Sequence, residues 1–119
     1  MKTILYATDL TEQAVPALRY AHELSNRLGA DLLVLNVHQM PPTRVPVTRM
    51  PDQIELQVVE ERKEVLKMYC AKHLGQRIDG SRIKIEVENN DSILNGIFLK
   101  SKEVSPNLVL MWEKRQAYR

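Results

Sequence analysis

The chain is short of the residues on which several common kinds of chemistry depend. It has one cysteine, Cys70, so an internal disulfide is excluded and no cysteine cluster offers a zinc site. Its four glycines, Gly29, Gly75, Gly80 and Gly96, leave no P-loop, no G-x-G-x-x-G and no G-x-S-x-G. No apolar run approaches the ~18–20 residues that span a bilayer. The opening segment reaches Asp9 too early for a secretory signal. Acids and bases nearly cancel, with a formal net charge of +2 carried by the last seven residues, Glu113 to Arg119. Nucleic acid is therefore not an expected partner, a membrane is not either, and a reducing cytoplasm is the expected compartment.

What is present suits one ordinary domain. The 119 residues, 44% of them apolar and 27% charged, fit a single domain over 1–119 with a core of its own. Lys2 to Thr8 reads as a buried strand. Thr11 is expected to cap the following helix with its hydroxyl as acceptor. That helix places Ala14, Leu18, Ala21, Leu24 and Leu28 inward and ends at Gly29. Asp31 to Val37 reads as a strand buried on both faces, which completes a βαβ unit. His38 to Pro51 holds four of the six prolines and reads as an extended, exposed loop, open to trypsin at Arg44 and Arg49.

A long helix is expected from Asp52 to Leu74, with Ile54, Val58, Val65, Met68 and Tyr69 inward. Ile83, Ile85 and Val87 alternate with Lys84, Glu86 and Glu88, the pattern of a half-exposed edge strand. Asn90 or Asp91 is expected to cap a third helix bearing Ile93, Ile97, Phe98 and Val104. Ser105-Pro106 ends it, and Asn107 to Trp112 is a fourth strand. The fold class is α/β with a parallel sheet.

Ligands of such sheets bind beyond the carboxyl ends of the strands, where Asp9 sits. Its carboxylate either accepts hydrogen bonds from a purine amino group or sugar hydroxyl, or only caps its turn. A phosphate-accepting receiver domain has similar length and element order, but it needs a second acid beside Asp9, where Thr8 stands, so its magnesium site is excluded. His22, His38 and His73 are scattered. Cys70-x-x-His73 reads as a packed thiol and a solvated imidazole, not a metal pair. No nucleophile–base pairing emerges, and the chain is not expected to be an enzyme.

Lys2 to Glu12, followed by Ala17-Leu18-Arg19-Tyr20-Ala21, resembles the opening of the universal stress protein family. Leu32 to His38 and Asn107 to Met111 resemble its second and fourth strands, and Asn90-Asp91-Ser92-Ile93 falls in order. The resemblance implies a HUP/Rossmann-like sheet in the order 3-2-1-4-5, commonly in a dimer. Many members bind ATP, and the positions that surround adenine and ribose correspond here to Ala7, Thr8, Asp9, Val37 and Met111. The family's triphosphate rests on a loop G-x-x-G-x₉-G-[S/T], where glycines let backbone amides approach the phosphates. Here Trp112 and Arg115 stand at the first two glycine positions, and the sequence ends at Arg119, before a fifth strand. The expectation is a sheet 3-2-1-4 with the fifth strand missing, in a non-catalytic stress-response domain that acts through protein contacts. Weak adenine-nucleotide binding is the alternative. A homodimer, or a partner protein, is expected at the fourth-strand edge.

Overall fold

A computed structural model describes residues 2–39, 52–78 and 81–112, with backbone alone for 39 and 52–57. Strand β1 (Thr3–Ala7) leads through a short 3-10 turn, Glu12–Ala14, into helix α1 (Val15–Leu28). Strand β2 (Asp31–Gln39), helix α2 (Asp52–Leu74), strand β3 (Ile83–Asn90), helix α3 (Ile93–Val104) and strand β4 (Leu108–Met111) follow. Among the described residues the sheet is parallel and four-stranded, in the order β3-β2-β1-β4. Gly29 stops α1 in the left-handed region at φ 64°, where a side chain would be strained. Tolerance of Pro16 follows from its place in the first turn of α1, where no intrahelical bond is lost.

Both faces of β1 and β2 are buried, as continuous apolar strands of a parallel sheet require. Ile4, Tyr6, Leu32 and Val34 face α1 and α2, where Leu18, Ala21, Leu66 and Cys70 meet them. Leu5, Ala7, Leu33, Leu35 and Val37 face α3 and pack on Ile97 and Val104. Edge strand β3 turns Ile83, Ile85 and Val87 to the first core. Its polar face meets α3, where the buried Lys100 ammonium lies 3.2 Å from Glu88, 3.2 Å from Glu103 and 3.8 Å from Glu86. Burial alone would lower the pKa of that ammonium, but the hydrogen bonds to Glu103 and Glu88 outweigh it and hold the value above its ordinary level.

Several expectations need correction. Strand β2 continues through His38 and Gln39, so the proline-rich segment starts later than expected; Arg44 and Arg49 lie outside the described residues. The Thr11 side chain accepts no capping bond; its hydroxyl instead donates to Asp9. The cap of α3 is Ser92, whose hydroxyl accepts from the Asn95 amide at 3.2 Å. Asn90 supports the turn by accepting from the Ser92 amide, and Asp91 does not cap the helix. Leu28 and Phe98 are exposed.

The inner stripe of α2 is Val59, Leu66, Cys70 and Leu74. Val65 and Met68, expected inward, face solvent, while Tyr69 does pack against the core and Ile54 lies among residues whose side chains are not described. His73 is not solvated: its ring packs edge-on against Tyr69, with centroids 4.8 Å apart, and its side chain is 11% exposed. Burial pushes the Cys70 thiol up to about 12, so it stays protonated as a core residue.

Candidate functional site

The chain winds β1 to β2 to β3 in one direction and then crosses to place β4 on the far side of β1. That reversal opens a crevice at the carboxyl ends of β1 and β4, the place where open α/β sheets bind ligands. A cavity of about 300 Å³ occupies it. Ala7, Thr8 and Asp9 contribute from the end of β1, Val37 from β2, and Met111 and Trp112 from the end of β4. The structure thus brings all five residues singled out in the sequence, Ala7, Thr8, Asp9, Val37 and Met111, to one cavity.

Ile93, Leu94 and Ile97, from the first turns of α3, complete the lining. Sequence reasoning gave them only a helix, not a place at the site. Their signal was the adjacent apolar pair Ile93-Leu94 directly after a capping serine, which cannot both face the core of an amphipathic helix. Gly96 sets how closely α3 sits: a Cβ there would meet Val37 Cγ1 at 2.8 Å.

The polar end of the cavity is the turn after β1. The buried Thr8 donates its amide to Leu35 O at 2.9 Å and accepts the Leu10 amide on its hydroxyl at 3.2 Å. Leu10 has φ 66°, a left-handed conformation that residues with a Cβ rarely adopt. Asp9 is exposed, and its Oδ1 accepts from the Thr11 amide at 3.1 Å and from the Thr11 hydroxyl at 2.7 Å. Its capping role is therefore real, but it engages one oxygen of two. On the β4 side the Trp112 amide donates to Ala7 O at 3.2 Å, which fixes the backbone of Trp112 beside the end of β1. Two phenols lie behind the turn. Burial pushes Tyr6 up to about 12 and raises Tyr69, with the Thr8 hydroxyl opposing both. Both remain protonated donors at neutral pH.

Chemically, the cavity offers a mostly apolar lining with one carboxylate, that of Asp9. Asp9 is the sole acid or base among the described lining residues. Among the described residues, no group of three or more His, Cys, Asp or Glu side chains is placed to hold a metal ion.

Solved structures share this architecture. A universal stress family protein from Burkholderia pseudomallei is 22% identical, with a TM-score of 0.66 over 94% of this chain and 81% of that one. The Archaeoglobus fulgidus universal stress protein in complex with dAMP is 18% identical, with a TM-score of 0.55 over 93% of this chain and 80% of that one. A universal stress protein in complex with cAMP is 14% identical, with a TM-score of 0.53 over 91% of this chain and 69% of that one. At these identities the likeness bears on the fold. No curated protein sequence matches the chain. The family model for universal stress proteins matches residues 1–111, which is nearly the whole sequence and includes every strand of the sheet, and the chain belongs to the universal stress protein family.

Proposed function

We propose that residues 1–119 form one non-catalytic stress-response domain, placed in the cytoplasm, that works through protein contacts and holds the adenosine part of an adenine nucleotide weakly. The observation that supports ligand binding is the convergence of Ala7, Thr8, Asp9, Val37 and Met111 on one cavity at the strand-order reversal. Its volume of about 300 Å³ is at the low end of small-molecule pockets and suits a nucleoside better than a whole triphosphate. The second oxygen of Asp9 is directed to no donor among the described residues and suits ribose hydroxyls or a purine amino group. The relatives solved with dAMP and cAMP support the same ligand class. Trp112 stands at the position of the family's first loop glycine and is among the residues that line the cavity. An indole cannot let backbone amides cradle phosphates as glycine does, so ATP gains little from its phosphates.

Titration calorimetry with AMP, ADP and ATP tests this reading. The expected dissociation constants are millimolar or weaker, and within a few-fold of one another. Asp9→Ala is expected to weaken AMP about tenfold or more, the loss of hydrogen bonds to a charged acceptor. A micromolar ATP constant would overturn the weak-binding reading, and unchanged affinity in Asp9→Ala would overturn the placement.

Protein contacts are supported by a separate observation. Among the described residues strand β4 ends the sheet, and Leu108, Val109 and Met111 are 38%, 38% and 44% exposed. A free edge beside apolar side chains recruits a further strand. The proposed occupant is a second copy in a two-fold dimer, or a partner protein's strand. Among the described residues no helix is long and apolar enough to cross a membrane.

A further inference from the structure

We infer that helix α2 sets the orientation of the Asp9 carboxylate, with Tyr69 and Arg62 as positioning residues that act on the cavity without lining it. This coupling rests on the proposed ligand reading only for what Asp9 binds; how Asp9 is held is a matter of separate contacts.

By its own residues the turn from Thr8 to Thr11 is closed only locally, by the Leu10 amide on the Thr8 hydroxyl and by Asp9 on Thr11. Leu10 sits at φ 66°, where a side chain is strained. The bonds that Asp9 accepts from Thr11 span two residues, so they close the turn on itself without fixing it against the rest of the fold. Beside the bond from the Thr8 amide to Leu35 O, the longer-range grips involve α2. The Tyr69 hydroxyl donates to the Thr11 carbonyl at 2.7 Å, across 58 residues of sequence. Arg62 Nη2 donates to Asn36 Oδ1 at 3.1 Å. That contact assigns the orientation of the buried Asn36 amide, whose Nδ2 then donates to the Thr8 carbonyl at 2.9 Å. The carbonyls of Thr8 and Thr11 bracket Asp9 and Leu10, and each is fixed by a bond that starts on α2 or is oriented from it. The His73 ring, edge-on to Tyr69, and its 3.7 Å approach to Glu12 steady the same corner.

Neither Tyr69 nor Arg62 is among the residues that line the cavity. Their effect on a ligand passes through the backbone of the turn to Asp9. By reciprocity, a ligand that engages Asp9 tightens the docking of α2 to the same extent that α2 favours the ligand.

Tyr69→Phe keeps the ring and removes only the hydroxyl. Without ligand, amide hydrogen exchange at Leu10 and Thr11 is expected to accelerate about three- to tenfold, the range for loss of one hydrogen bond, while amides of β2 keep their protection. Unchanged exchange at Leu10 and Thr11 would overturn the inference. With AMP as probe, Tyr69→Phe is expected to weaken binding several-fold, and Asp9→Ala with Tyr69→Phe to be no weaker than Asp9→Ala alone. Additive losses would mean that Tyr69 acts elsewhere and would also overturn it. Arg62→Gln is the second variant, with faster exchange expected at Leu10, should Tyr69→Phe unfold. Failure of the wild-type chain to bind AMP would defeat the ligand reading, while the exchange measurement would still decide the role of α2.

Discussion

Asp9 serves its own backbone with Oδ1, and no bond to a donor among the described residues is seen at Oδ2. One carboxylate oxygen closes the turn with Thr11, so the two readings of Asp9 from sequence are compatible. Thr11 reverses the expected polarity, donating its hydroxyl instead of accepting an amide, because the acid two residues earlier is the stronger acceptor. Gly96 matters for a different reason: its lack of a side chain lets α3 lie close against Val37. In Gly96→Ala the new methyl would overlap Val37 Cγ1, 2.8 Å away, and Val37 is a stiff, buried strand residue. Overpacking costs about 1–3 kcal/mol, and the better helix propensity of alanine returns up to about 1 kcal/mol. Net destabilisation of up to about 2 kcal/mol is expected from the urea midpoint. Weaker AMP binding should accompany it, since Val37 also lines the cavity.

Among the elements, α2 is where its length was legible and its orientation was not. Its limits, Asp52–Leu74, follow from the prolines before it and from Gly75, which stops it at φ 66°. Its inner stripe passes through Arg62, which spends its charge on Asn36 and breaks the apolar period. A stripe drawn through apolar residues alone is therefore rotated, which places Val65 and Met68 inward by mistake. The two orientations differ in measurable cost. Leu66→Ala removes a fully buried side chain and is expected to cost about 2–5 kcal/mol. Met68→Lys, at a position 67% exposed, is expected to stay within about 0.5 kcal/mol of the unaltered chain. Equal losses in urea unfolding would refute the observed orientation.

For the molecule as a whole, the open side of the sheet is its most consequential feature. Helices α1 and α2 share one face with the first core, while α3 packs against β2 and β3 on the other. Among the described residues, no helix packs closely on the β4 end of that second face. Trp112 is a poor place to probe this edge, because the indole is half-buried against the first core and its Nε1 is buried with no acceptor among the described residues. Val109, paired with Leu5 and 38% exposed, is the better choice. The unaltered chain is expected to sediment as a dimer at high micromolar concentration, and Val109→Lys as a monomer with unchanged circular dichroism. A folded monomer from the unaltered chain would contradict edge association.

The sequence by itself determined the order of elements and the strand that would lie at one edge. Continuous apolar runs at Ile4–Ala7 and Leu32–Val37 have only one stable use, burial on both faces of a parallel sheet. The alternation at Ile83–Glu88 has only one as well, a strand half covered. The five candidate site residues came from resemblance to a family; position at the end of the first strand singled out Asp9 alone. Tertiary structure decided what depends on contacts between distant segments: that β1, β2 and β4 end at one cavity, that Ile93, Leu94 and Ile97 close it, and that Tyr69 and Arg62 hold the Asp9 turn. Periodicity reports which face of an element is apolar, but not which polar side chain reaches across it. Such a bond is set by packing geometry between residues as far apart as Thr11 and Tyr69, and no local pattern carries that information.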